Sequence, residues 1–178
     1  MNYIVLDLEA TCWRGKPPHG INEVIEIGAV KINRYGEVLG FFSRLIKPVV
    51  NPRLSSFCTK LTGIKQEQVD VADRFENVIL EFMDFIEVED NDYTLYSWGN
   101  NDKSMLSTNC ALHNIDTYWL DPFVDMHKKY ISMNGNRKKS GLKHIVESEG
   151  FEFEGDQHSA YIDAYNLSKI FIKFIDIW

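Results

Sequence analysis

YIVLDLEATC, residues 3–12, begins with an apolar run, 3–8, that opens a strand, and the two acids Asp7 and Glu9 sit in that strand. Side chains alternate along a strand, so Asp7 and Glu9 share one side while Ile4, Leu6 and Leu8 share the other. Two carboxylates held side by side repel, and one tends to keep its proton unless a cation sits between them. Oxygen-only ligands select a hard divalent ion, Mg²⁺ or Mn²⁺, over zinc. Taken alone, D-x-E is also a common solvated strand end.

Working outward, VIEIGAVKINRY (24–35) and VLGFFSRLIK (38–47) read as two further strands. The short connection at Tyr35–Glu37 makes them a hairpin, so the sheet starts antiparallel. The period then changes. Phe75, Val78, Ile79, Phe82, Phe85 and Ile86 recur at helical spacing, and an acid run from Glu87 to Asp92, read as a solvated turn, ends that helix. TLYSW (94–98) is a fourth strand, 102–113 a helix, 122–126 a short strand and 140–149 a helix. A last helix runs from about Ala160 to Ile177, its stripe of Leu167, Ile170, Phe171, Phe174, Ile175 and Trp178 read as core. Strands followed by alternating helices and strands predict an α/β fold, a mixed sheet flanked by helices. No repeat or linker divides residues 1–178, which read as a single domain.

Composition narrows the function. Apolar residues make up 44% of the 178, too many for a disordered chain. The 26 acids against 19 Lys and Arg give a net charge of −7, which argues against a protein that coats polyanions indiscriminately. Yet HKKYISMNGNRKKSGLKH (127–144) carries Lys128, Lys129, Arg137, Lys138, Lys139 and Lys143 without one acid. Such a run is either a solvated loop or, with Lys138 and Lys139 at its centre, a groove that follows phosphates. Cys12, Cys58 and Cys110 form no C-x-x-C pair and suit free thiols in the cytoplasm. The N-terminus lacks a basic leader, and every apolar run is too short to span a membrane.

Two later elements add acids. In HSAYIDA (158–164), residues five apart on a regular helix point about 140° away from each other. His158 and Asp163 therefore act together only if His158 lies on the entering loop and Asp163 in the first turns. Five histidines are present, and spacing alone selects none of them. In SWGNND (97–102), Asp102 sits where a strand end runs into a helix and is equally placed to cap it. Trp13 and Trp98 lie near these acids, suited to stacking a base or to ordinary packing.

Together DLEATC, WGNND and HSAYIDAYN resemble, in order and spacing, the three motifs of the DEDDh group of 3′-to-5′ exonucleases. The sequence is most similar to the histone-mRNA and enhancer-of-RNAi type. DLEATCWRGKPP (7–18), EVIEIGAV (23–30), LSSFCTKLTGIKQEQVD (54–70) and GDQHSAYIDAYNLSKI (155–170) carry the likeness over nearly the whole chain. It departs at WGNND, where those relatives have Ser-Trp-Asp, and no separate nucleic-acid-binding domain is expected ahead of the nuclease. The resemblance implies a ribonuclease-H-like fold whose antiparallel start continues into parallel strands. It also implies that Asp7, Glu9, Asp102 and Asp163 hold two Mg²⁺ (or Mn²⁺), with Asp102 acting through water, and that His158 is the general base. Thr11, Leu61, Thr62 and Gly63 would shape the terminal nucleotide's pocket. The implied substrate is the 3′ end of single-stranded nucleic acid, RNA ahead of DNA. A catalytically silent binding module is the other class, ranked low because all four acids and the histidine are present.

Overall fold

A computed structural model describes residues 1–90, 92–134 and 141–178. Six strands, β1 (Asn2–Ala10), β2 (Val24–Asn33), β3 (Val38–Lys47), β4 (Asp73–Arg74), β5 (Tyr93–Ser97) and β6 (Phe123–Asp125), form one sheet in the order β4-β3-β2-β1-β5-β6. β2 is antiparallel to both β1 and β3, β5 is parallel to β1, and β6 is parallel to β5. The antiparallel start and parallel continuation thus meet at β1, which is paired on both edges.

Two layers of helix cover the sheet. Ile4, Leu6 and Leu8 of β1 meet Phe75, Val78, Ile79, Phe82 and Ile86 of α3 (Phe75–Ile86). Leu106 and Cys110 of α4 (Asn101–Leu112) join the same core. On the opposite face Val5, Val30 and Ile32 pack against α5 (Met126–Asn134), α6 (Leu142–Ser148) and α7 (Ala160–Lys173) through Met126, Leu142, Val146, Leu167 and Phe171. Each fully buried aliphatic side chain contributes about 1.5–3 kcal/mol. Ile25 with Cys58, Ile64 and Val69 closes a smaller core under α1 (Ser56–Thr62) and α2 (Gln66–Asp70).

Several elements differ from the sequence expectation. α1 and α2 carry too few residues for a periodic stripe and are held by their ends. The Ser55 hydroxyl accepts from Cys58 N at 2.9 Å, and Gly63 caps α1 at φ 72° with its N–H on Thr59 O. The basic segment is not simply a loop, because its start is α5, while Arg137, Lys138 and Lys139 lie outside the described residues. The last helix ends at Lys173, and Trp178 turns back so that its indole N–H donates to Phe171 O at 2.8 Å. In the acid run, Glu87 is more than a solvated turn. Its carboxylate accepts from Asn2 Nδ2 at 2.7 Å and Lys31 Nζ at 3.2 Å. Among the described residues no helix is long and apolar enough to cross a membrane.

Candidate active site

The register of β1 on β2 sets Asp7 opposite Gly28 and Glu9 opposite Glu26, all on the face that α7 covers. Directly after Glu9 the ladder shifts, so that Ala10 pairs with Val24. Such a bulge re-aims the strand end. Thr11 then locks to Glu23: Thr11 N donates to Glu23 O at 2.8 Å, and Thr11 Oγ1 accepts from Glu23 N at 2.9 Å. Glu23 is itself buried, its carboxylate accepting from Val49, Val50 and Asn51 N–H at 2.6–2.9 Å.

α7 enters over Gly28. A Cβ at that position would lie 2.2 Å from Ala160 C and Tyr161 N, so only glycine lets the helix come this close. Ser159 is the N-cap residue and Asp163 falls in the first turn. His158 is on the entering loop at φ 70°, exposed, and its backbone N–H donates to Asp163 Oδ2 at 3.0 Å. A left-handed backbone at a non-glycine residue is uncommon, and such conformations cluster at functional sites. Asp102 comes from α4, which Asn109 fastens to the sheet. Asn109 Oδ1 accepts from Val24 N at 3.1 Å, and its Nδ2 donates to Asn22 O at 3.2 Å.

Four carboxylates from β1, α4 and α7 therefore share one electrostatic neighbourhood. Burial pushes Asp7 well above the usual carboxylate range, and the charges of Asp102, Asp163, Glu9 and Glu26 push it further. Glu9 rises to about 8, by burial first and then by Asp163, Glu26 and Asp102. Asp102 rises to about 6 through burial, with the neighbouring Ser97 side chain opposing the rise. Asp163 is also raised by burial, although the His158 N–H opposes it.

This arrangement fits a divalent cation on two grounds. Asp163 Oδ1 is buried without a hydrogen-bond partner, an arrangement that costs free energy unless something positive meets it. Ligand atoms of Glu9, His158 and Asp163 also lie within 4.8 Å of one another. Carboxylates that repel one another around such a point are stabilised by a hard cation, which removes the repulsion.

Beside the acids, Leu61, Thr62 and Gly63 line a cleft of about 800 Å³ together with Glu26, Ser159 and Ile162. Leu61 is exposed, whereas the Thr62 hydroxyl donates to Cys58 O and accepts from Ile64 N. Thr11 does not reach this cleft, because it is wholly buried with its hydroxyl on Glu23. Trp98 packs its ring 5.0 Å from His127, and Trp13 is half-buried. Glu23, Glu26, Gly28 and Asn109 were not among the residues singled out from sequence. The signal available for the first two was charge inside EVIEIGAV, a strand otherwise apolar.

The family profile described as Exonuclease (RNase_T) matches residues 4–171. The chain is 31% identical to 3′-5′ exoribonuclease 1 of Homo sapiens over 185 residues, which covers 96% of this chain and 51% of that protein. It therefore spans about half the length of that relative. It is 32% identical to the probable 3′-5′ exonuclease KapD of Bacillus subtilis, covering 94% of this chain and 82% of KapD. Among solved structures, the nuclease domain of 3′hExo, a DEDDh family member bound to rAMP, superposes with a TM-score of 0.90 at 28% identity. That match covers 98% of this chain and 92% of the other.

Proposed function

Since the chain belongs to the RNase T-type exonuclease family, we propose that it is a metal-dependent 3′–5′ exonuclease that removes nucleoside 5′-monophosphates from single-stranded RNA. The observation that carries this reading is the convergence of half-buried Asp7 and Asp102 with buried Glu9 and Asp163, one oxygen of Asp163 being buried without a partner. These four would hold two Mg²⁺ ions, or Mn²⁺, which supply Lewis-acid stabilisation of the charge that develops on the phosphate.

The remaining chemistry belongs to the side chains. His158, exposed at the mouth of the site, takes the proton of the attacking water as general base. Its loop position lets the imidazole approach from solvent while its backbone N–H holds Asp163 in place. Leu61 and the Gly63 turn wall the cleft for the terminal nucleotide, with Thr62 fixing the turn from beneath. Thr11 contributes by locking the strand end that carries Glu9. Lys138 and Lys139 track the phosphates upstream. RNA stands ahead of DNA because several relatives, 3′-5′ exoribonuclease 1 and ERI1 exoribonuclease 2 among them, carry exoribonuclease names. A single domain working in the cytoplasm, its three cysteines kept as thiols, completes the reading.

The test is degradation of end-labelled single-stranded RNA, single-stranded DNA and duplexes with Mg²⁺, comparing 3′-hydroxyl with 3′-blocked ends. Stepwise shortening of unblocked single-stranded RNA is expected, with mononucleotides as product. Full activity in EDTA, or indifference to the 3′ block, overturns the reading.

A further inference from the structure

We propose that Glu26 is a positioning residue: from the neighbouring strand, it seats the first turn of α7 and so sets where Asp163 and His158 stand relative to Glu9. The proposal rests on the nuclease reading for its consequence in catalysis and on contacts for its geometry. Glu26 is 7% exposed and lies directly across the ladder from Glu9. Among the described residues no lysine or arginine forms an ion pair with it. A buried carboxylate placed beside another without a cation is unfavourable unless hydrogen bonds meet it.

Those hydrogen bonds come from the helix. Glu26 Oε2 accepts from Ala160 N at 2.9 Å, and Oε1 from the Ser159 hydroxyl at 3.4 Å. The first N–H groups of a helix have no partner within it, and that end carries positive partial charge. Two residues along the same face, Gly28 removes the side chain that would hold α7 away. Glu26 and Gly28 thus act as a pair, one attracting the helix end and the other letting it approach.

What they fix is short. Asp163 is three residues beyond Ala160, within one turn, and its backbone N–H returns to Ser159 O at 2.9 Å. His158 is two residues before Ala160 and is tied to Asp163 Oδ2. A shift of the helix end therefore moves both members of the site together with respect to Glu9 on β1. Glu26 needs no contact with the reacting phosphate to do this.

The experiment uses the full chain with E26A and E26Q. Removing a group that orients metal-ligating side chains costs about 10–100-fold in activity or metal affinity. E26A is expected to lose that factor in kcat and to shift the Mn²⁺ binding midpoint upward by a similar factor. E26Q, which keeps one acceptor oxygen for Ala160 N, should recover most of the loss. A third readout is independent of metal and substrate: the exchange rate of the His158 amide, compared with that of Leu6 in the core. Glu26 does not touch that amide, so selective acceleration in E26A reports a displaced turn. If the His158 amide, the Mn²⁺ midpoint and kcat all follow thermal stability alone, Glu26 is merely structural and the proposal fails. E26Q as inactive as Glu9→Gln also overturns it, since Glu26 would then be a ligand. A wild-type chain that leaves RNA intact sinks the nuclease reading, and the amide and Mn²⁺ measurements still decide the role of Glu26.

Discussion

The two sides of β1 are built from one nonapeptide to opposite ends. Facing α3 and α4, Ile4, Leu6 and Leu8 are 0, 0 and 8% exposed and join a large hydrophobic cluster with Phe75, Phe82 and Leu106. Facing α7, the strand is apolar at Tyr3 and Val5 and then acidic at Asp7 and Glu9. The first side stabilises the fold in the ordinary way, by removing hydrocarbon from water. The second holds carboxylates in a place where they repel one another and cannot be fully solvated. A fold tolerates such a region when the rest of it supplies stability and the region supplies function.

The contrast is sharpest in substitutions that should separate activity from stability. Asp7→Ala, Glu9→Ala or Asp163→Ala is expected to abolish nuclease activity and weaken metal binding, without lowering the melting temperature of the metal-free protein. A metal-free variant much less stable than its parent would mean that these acids hold the fold together. His158→Ala should lower kcat by about 10²–10⁴-fold, the usual worth of a general base, while metal still binds. Full activity at pH 7 in that variant would remove His158 from the mechanism. On the opposite side, Leu6→Ala should cost about 2–5 kcal/mol of stability by urea unfolding, with kcat per folded molecule nearly unchanged. A selective loss of kcat in Leu6→Ala would show that the two sides are not separable.

A further effect concerns pH. The carboxyl of Glu9 is raised by folding from its ordinary 4.5 to about 8, so between those values the folded chain binds more protons than the unfolded one. Its contribution to stability is therefore complete below about 4.5 and is lost as pH rises through 8. Without metal, the melting temperature should fall as pH is raised across that window. Glu9→Gln should flatten the fall, and Mg²⁺ should oppose it. A metal-free protein that gains stability over the same window has the opposite linkage and contradicts the crowding of charge described here.

How much of this was legible beforehand follows from the range of the interactions. The alternation of Ile4, Leu6 and Leu8 against Asp7 and Glu9 depends on nothing but strand geometry, so it was readable from ten residues. The stripe of α3 was readable for the same reason. α1 and α2 were not, because both are too short for an apolar period: α1 is set by caps at Ser55 and Gly63, and α2 by the Gln68 side chain accepting from Lys65 N. α5 was hidden by its charge: Met126 and Tyr130, one turn apart, are buried, while Lys128 and Lys129 lie between them. The last helix ends at Lys173, short of the expected Ile177; Trp178 continues the apolar composition while its indole bonds back to Phe171. Glu26 was the most distant case, since its partner Ala160 lies 134 positions away and meets it only after α7 has crossed Gly28.

That crossing has a consequence for anyone redesigning the sheet. By strand propensity alone, valine would look like an improvement at position 28, in a strand of Val, Ile and Ala. The helix overhead leaves no room even for a methyl group. Mutational tolerance at this one site is governed by the thickness of a backbone, and a residue with no side chain serves as the gauge that spaces two halves of the candidate active site.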